Sequence, residues 1–149
     1  MSTDTTGRQA TRVRPEDPVR MIMSTPVATV DSGASVLDAA TELVADETGA
    51  VLVTGAGALG LLSERDVLTL VGTGVDLAAI QVVDVMTEDL VWARPDDTVA
   101  AVAHQMVEAK VRHLPVGDGR HAVGIVSLRD LTAVLVAAIR GGTPPVPGR

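Results

Sequence analysis

The chain has 149 residues, a formal net charge of −7 and no cysteine, and 46% of its residues are hydrophobic. The negative charge argues against a nucleic-acid binder, since such proteins gain affinity by neutralising phosphates, and the missing cysteines exclude disulfides and thiolate chemistry. With one Trp and neither Phe nor Tyr, the core of a single domain must be built from small aliphatic side chains.

Both ends of the chain are polar. Residues 1–18 end in Pro15 and Pro18, and residues 141–149 are rich in Gly and Pro, so both segments are predicted to be disordered tails. No apolar run reaches the roughly 18 residues of a membrane helix, and the N-terminus lacks the apolar stretch of a signal peptide. We therefore expect a cytoplasmic protein without membrane or nucleic-acid partners.

The first half of the chain begins with an apolar stretch at residues 27–30, after Ser24-Thr25-Pro26. Ser35 then caps a predicted helix. Two predicted strands, 51–53 and 58–62, are joined by a glycine turn and lead into a helix that begins at Ser63. The first helix is predicted to bury one apolar face, formed by Val36, Leu37, Ala40, Leu43 and Val44.

The same pattern restarts after residues 72–81. A helix from Thr98, strands at 113–116 and 121–126, and a helix over 128–139 are predicted. Equivalent positions lie 63 residues apart, as in Met23 and Met86, and the second hairpin carries one extra residue. Two strand–helix–strand–strand–helix repeats predict an α/β (α+β) fold, in which the halves pack sheet to sheet with pseudo-two-fold symmetry and leave equivalent clefts between them.

One motif occurs in both repeats, as GLLSERD at Gly60–Asp66 and as GIVSLRD at Gly124–Asp130. A hydroxyl, a guanidinium and a carboxylate at a strand-to-helix turn suit a phosphorylated sugar. Serine and aspartate three residues apart are also an ordinary capping box. The motif alone leaves both interpretations open.

These elements together resemble a known family. The order Met-Ser-Thr-Pro, helix, strand, hairpin and G-h-h-S-x-R-D, repeated over about residues 19–140, resembles a tandem pair of CBS (cystathionine β-synthase) domains. The resemblance implies CBS motif 1 at 19–80 and CBS motif 2 at 81–140. It also implies a non-catalytic sensor that binds an adenosine nucleotide or adenosyl ligand (AMP, ADP, ATP or similar) between the motifs, forms a homodimer and modulates a partner protein. The alternative is a ligand-free interaction or dimerisation module with degenerate clefts.

The resemblance also implies the binding residues. The aspartates would accept hydrogen bonds from ribose hydroxyls, the serines would reach phosphate or ribose oxygens, and the arginines would neutralise phosphate. The first site would consist of Ser63, Arg65, Asp66, Ala28, Thr29 and Val30. The second would consist of Ser127, Arg129, Asp130, Val91, Trp92, Ala93, His113 and Pro115. Glu64 stands where the second copy has Leu128, and a carboxylate beside a phosphate is repulsive by about 1 kcal/mol, so the second site is expected to bind better.

The motifs do not predict an enzyme. There is no nucleophile elbow and no Walker-type loop, and the glycines of residues 55–60 join two strands rather than a strand and a helix. His104, His113 and His121 do not have metal-ligand spacing. We expect no metal, and no cofactor apart from the adenosine nucleotide as a regulatory ligand.

Overall fold

The computed structural model describes residues 12–142, which form two halves of mixed α and β structure. The first half contains β1 (Thr29–Asp31), α1 (Val36–Ala45), β2 (Ala50–Gly55), β3 (Ala58–Ser63) and α2 (Glu64–Gly72). The second half contains α3 (Val99–Ala109), β4 (His113–Gly117), β5 (Ala122–Ser127) and α4 (Leu128–Gly142). Short 3-10 helices lie at Val19–Met21, Leu77–Ala79 and Val82–Asp84. The predicted fold class is confirmed.

The two sheets differ at one edge. In the first half β1 runs parallel to β2, and β2 pairs with β3 in antiparallel register. In the second half β4 pairs with β5, and the place of β1 is taken by one parallel bridge between Ala93 and Val116. The Ala93 amide donates to the Pro115 carbonyl at 3.0 Å, and the Gly117 amide donates to the Ala93 carbonyl at 2.8 Å.

Two apolar stripes run along α1, and only one of them enters the core. Val36, Ala39 and Leu43 are buried. Leu37 and Val44, predicted to share the buried face, are 47% and 78% exposed. The predicted face is therefore wrong in part. Residues at positions 36, 39 and 43 and at 37, 40 and 44 have the same helical spacing, so periodicity does not distinguish the two stripes.

The segment that leads each repeat crosses to the opposite half. Val19 is fully buried in the core of the second half, and Val82 and Met86 are buried in the core of the first. Backbone bridges join Ser24 to Ile125 and Thr87 to Leu61. Each half therefore completes its core with residues of the other repeat.

A glycine in each copy of the motif makes room for this crossing. A Cβ at Gly60 would collide with the sulfur of Met86, and a Cβ at Gly124 would lie 2.5 Å from the sulfur of Met23. Met23 and Met86 belong to the crossing segments. The glycine of G-h-h-S-x-R-D is thus required by close packing between the repeats.

A third apolar cluster joins the two sheets. It is formed by buried side chains of β2, β3 and β5, namely Ala50, Leu52, Leu61 and Ile125. Half-buried Val27, Leu59, Leu90 and Ala122 surround it. The halves pack sheet to sheet as the repeat predicted.

Residues 12–18 are ordered against the second half, which corrects the predicted disordered tail in this part. The amides of Val99 and Ala100 donate to the carbonyls of Asp17 and Pro15, both at 2.9 Å. Amides in the first turn of a helix have no partner within the helix, so the segment satisfies those of α3. The predicted tail residues 1–11 and 143–149 lie outside the described residues. Within residues 12–142, no helix is long and apolar enough to cross a membrane.

Candidate functional site

The repeated motif forms a helix cap in both halves. The Asp66 amide donates to Ser63 Oγ at 3.2 Å, and the Ser63 amide donates to Asp66 Oδ2 at 2.8 Å. The equivalent bonds between Asp130 and Ser127 measure 3.0 and 3.2 Å. These bonds use Oδ2 of each aspartate, and the Oδ1 atoms of Asp66 and Asp130 accept no hydrogen bond from residues 12–142. The capping role therefore leaves one carboxylate oxygen of each motif free for a ligand.

The larger of two clefts lies at the start of α4 and has a volume of about 1120 Å³. Ser127, Arg129 and Asp130 line one side of it. Ser24 and Thr48, from the other repeat, line the same cleft, and the backbone of Ser24 pairs with Ile125 of β5. Its apolar lining comes from both halves and includes Leu43, Val44, Val67, Ile125, Leu128 and Val136.

The smaller cleft lies at the start of α2 and has a volume of about 490 Å³. Ser63, Arg65 and Asp66 line it together with residues of the second repeat. Those residues include Thr87, Asp89, Leu90, Val91, Lys110, Val111 and Pro115. Each motif thus faces a cleft, and the two clefts are unequal in size and lining.

The structure groups the predicted site residues differently from the sequence prediction. Val91 and Pro115, assigned to the second site with Asp130, line the small cleft beside Asp66. The crossing of the leading segments explains the position of Val91, because the bridge from Thr87 to Leu61 carries the residues that follow Thr87 toward the first half.

Other predicted base-pocket residues lie outside both clefts. Ala93 is fully buried in the second core, and the half-buried Trp92 accepts a hydrogen bond on its carbonyl from Gln105. Ala28 and Val30 pack against the first core, and Thr29 is exposed. These residues therefore belong to the sheets and cores and line neither of the two clefts.

A wall shared by both clefts contains Glu64, Arg112 and His113. The Glu64 amide donates to the Gly49 carbonyl at 2.9 Å, and in the equivalent bond the Leu128 amide donates to the Arg112 carbonyl at 2.8 Å. A Cβ at Gly49 would lie 2.7 Å from His113 Nε2. The missing side chain at Gly49 therefore gives the imidazole its space in the wall.

His113 is the titratable group most affected by this environment. Burial lowers the pKa of His113 from its ordinary value of 6.5, although the carboxylates of Glu64, Asp130 and Asp66 act in the opposite direction. The Arg112 guanidinium lowers the pKa of His113 further. The wall therefore presents a neutral imidazole at neutral pH. The other two histidines are exposed and lie beside acidic side chains, His104 by Glu108 and His121 by Asp118.

Ser24, Thr48 and Arg112 line the clefts but were missed by the sequence prediction. The 63-residue spacing of the internal repeat relates two of them, Ser24 and Thr48, to residues of the other cleft. Ser24 precedes Thr87 by 63 residues, and Thr48 precedes Val111 by the same interval. The members of each pair line opposite clefts, as pseudo-symmetry requires.

The family sequence model of the CBS domain matches the chain twice, at residues 19–72 and 82–137. The chain belongs to the CBS domain family. The CBS domain-containing protein YhcV of Bacillus subtilis is 34% identical over 115 residues, which are 76% of this chain and 81% of that protein. CBSCBSPB2 of Arabidopsis thaliana is 29% identical over 127 residues, which are 83% of this chain but only 23% of that protein.

Solved CBS structures have the same fold. The CBS-domain protein ATU1752 from Agrobacterium tumefaciens is 28% identical with a TM-score of 0.71, and the match covers 80% of this chain and 94% of that one. The CBS domain pair of MJ0100, in complex with 5′-methylthioadenosine and S-adenosyl-L-methionine, is 25% identical with a TM-score of 0.73. That match covers 83% of this chain and 98% of the other. The tandem CBS pair expected from the repeat is confirmed.

Proposed function

We propose that this CBS pair is a regulatory module that binds an adenosyl ligand in the large cleft and modulates a partner protein according to its occupancy. The observation that carries the proposal is that Ser127, Arg129 and Asp130 of one repeat line a single cleft together with Ser24 and Thr48 of the other. Ligand pockets generally measure about 300–1,000 Å³, so the cleft can accommodate a nucleoside.

The polar groups of this cleft match the chemistry of a nucleoside. Oδ1 of Asp130 is placed to accept ribose hydroxyls, while Oδ2 remains in the cap. Apolar side chains such as Leu43, Ile125 and Val67 offer surface to an adenine ring. The similar CBS pair of MJ0100 holds two adenosyl compounds, which supports the same ligand class here.

Regulation would operate by population shift. A ligand between the two halves contacts both repeats, so it favours the relative arrangement of the halves to which it binds best. In this proposal the chain forms a homodimer. A partner protein senses which arrangement of the halves is populated.

The substitution Asp130→Asn tests the ligand site, because Asn keeps an oxygen for the cap but loses the charge. We expect it to weaken adenosyl binding by roughly tenfold, the loss typical of one charge-assisted hydrogen bond. Asp66→Asn should have a smaller effect, since its cleft is less than half the size. Calorimetric titration of the full chain with methylthioadenosine, S-adenosylmethionine, adenosine, AMP and ATP measures both variants.

Asp38→Asn is the matched control, because Asp38 lies in the first turn of α1 outside both clefts. Its binding constants should equal those of the unmodified chain. If no compound of the panel binds the unmodified chain or raises its melting temperature at about millimolar concentration, the sensor proposal is wrong. The ligand-free interaction module would then take its place.

A further inference from the structure

In the shared wall, the first repeat contributes an acidic side chain and the second repeat has none at the equivalent position. Glu64 begins α2, and its backbone is held at the wall by the bond to the Gly49 carbonyl. Its Oε1 lies 3.6 Å from the place of a Cβ at Gly49. In the other half the equivalent positions hold Leu128 and Arg112, so an apolar side chain stands in place of the acid.

The charge of Glu64 is not neutralised by a close ion pair. Within residues 12–142, no Lys, Arg or His nitrogen lies within 4.0 Å of its carboxylate. His113, its neighbour in the wall, is kept neutral by burial. Glu64 lines both clefts, so the potential of its carboxylate acts on a ligand in either one.

Neither cleft carries an excess of positive charge. The large cleft is lined by three carboxylates and two guanidinium groups, namely Glu47, Glu64, Asp130, Arg112 and Arg129. The small cleft balances three carboxylates with three cations, namely Glu64, Asp66, Asp89, Arg65, Lys110 and Arg112. Neither cleft therefore supplies the net positive charge that would neutralise the phosphates of a nucleoside polyphosphate.

We infer that Glu64 is a specificity-determining residue for both clefts and selects adenosyl compounds with an uncharged or cationic sugar substituent over nucleoside polyphosphates. The inference rests on the proposed adenosyl binding and narrows its ligand class. It also removes the charge argument for preferring the second site, because the acid assigned to the first site alone from the sequence borders the second cleft as well.

The charge-removing variant Glu64→Gln tests the inference on the full chain. The unmodified protein should bind methylthioadenosine at least tenfold more tightly than ATP. In Glu64→Gln the affinity for ATP should rise roughly tenfold and that for methylthioadenosine should stay within about twofold, since only the anion loses a repulsive partner. The affinity for the sulfonium compound S-adenosylmethionine should fall. Isothermal titration at about 0.05 M and about 0.3 M salt should show the ATP penalty shrinking with screening.

Glu108→Gln is the matched control, because it removes the same net charge from an exposed side chain outside both clefts. It should leave the ratio of ATP to methylthioadenosine affinity unchanged. Glu64→Leu, which copies the residue of the second repeat, provides a second variant and should also raise ATP affinity. If one variant does not fold, the ratio of ATP to methylthioadenosine affinity in the unmodified chain still tests the predicted selectivity.

The outcomes separate the inference from the proposed function. If no adenosyl compound binds, the proposed function fails and the inference fails with it. If adenosyl compounds bind but ATP binds more tightly than methylthioadenosine, or Glu64→Gln and Glu108→Gln change the ratio equally, only the charge selection by Glu64 is overturned.

Discussion

His113 is the residue at which burial and charge compete most directly. Its ring fills the space left by Gly49 and stands between the two clefts. Burial lowers the pKa of His113 despite three nearby carboxylates, so desolvation outweighs their attraction. The folded protein therefore favours the neutral ring.

A pH dependence of stability follows from this residue. Because the pKa of His113 is lower in the folded state, the unfolded chain binds more protons below the ordinary value of 6.5, and stability falls as the pH drops through that value. The loss ends once the pH is below the folded-state pKa. We expect His113→Gln to reduce the fall in unfolding free energy between about pH 7.5 and about pH 5.5, measured by urea denaturation.

The exposed His104 provides the comparison for that measurement. His104→Gln removes a histidine from the surface of α3, so it separates the loss of an imidazole as such from the loss of the one in the wall. A slope that changes equally in both variants would contradict the assignment to His113.

The caps are the residue-scale features that local sequence determines best. Ser63 and Ser127 form their predicted bonds because a capping box involves only residues three positions apart. The partners of each motif across the cleft could not be assigned in this way. Val91 was grouped with Asp130 because both belong to the second repeat, but the crossing of the segments places it beside Asp66.

Among the elements, α1 carries a second apolar stripe that is exposed in a single chain. Its second stripe includes Leu37 and Val44, and Val44 borders the large cleft together with the half-exposed Val136 of α4. Exposed apolar side chains grouped on neighbouring helices are typical of an interaction surface. This surface is the candidate interface of the proposed homodimer.

The substitution Val44→Glu tests that interface. A charge on an interface that loses water upon association is costly, so we expect the dimer to dissociate at concentrations where the unmodified chain is paired. Sedimentation velocity measures the mass directly. Val123→Glu places the same charge on an exposed position of β5 and should leave the mass unchanged. A Val44→Glu chain that remains paired would exclude this surface as the interface.

At the scale of the whole molecule, the crossing segments make the two repeats one folding unit. Val19 and Val82 hold equivalent positions and are both fully buried, each in the core of the opposite half. A half without its crossing segment would lack part of its core. We therefore treat the two sequence repeats as one cooperative domain.

Val19→Ala and Val82→Ala test this cooperativity. Each substitution should lower the unfolding free energy by about 1–3 kcal/mol through lost burial and a residual cavity. In both variants calorimetry should show a single transition at a lower temperature. Two separate transitions, with only one of them shifted by each variant, would show that the halves unfold independently.

The sequence alone determined the repeat, the order of most helices and strands and both helix caps, and its resemblance to the CBS family indicated the tandem pair. These features depend on local spacing, on side chains a few residues apart and on comparison of the two copies. The tertiary structure decided which stripe of α1 is buried, that residues 12–18 cap α3, and which residues share a cleft. Such relations arise between segments far apart in the chain, from 26 residues for Leu61 and Thr87 to 101 residues for Ser24 and Ile125, and no local pattern specifies which of two equivalent partners a segment will meet.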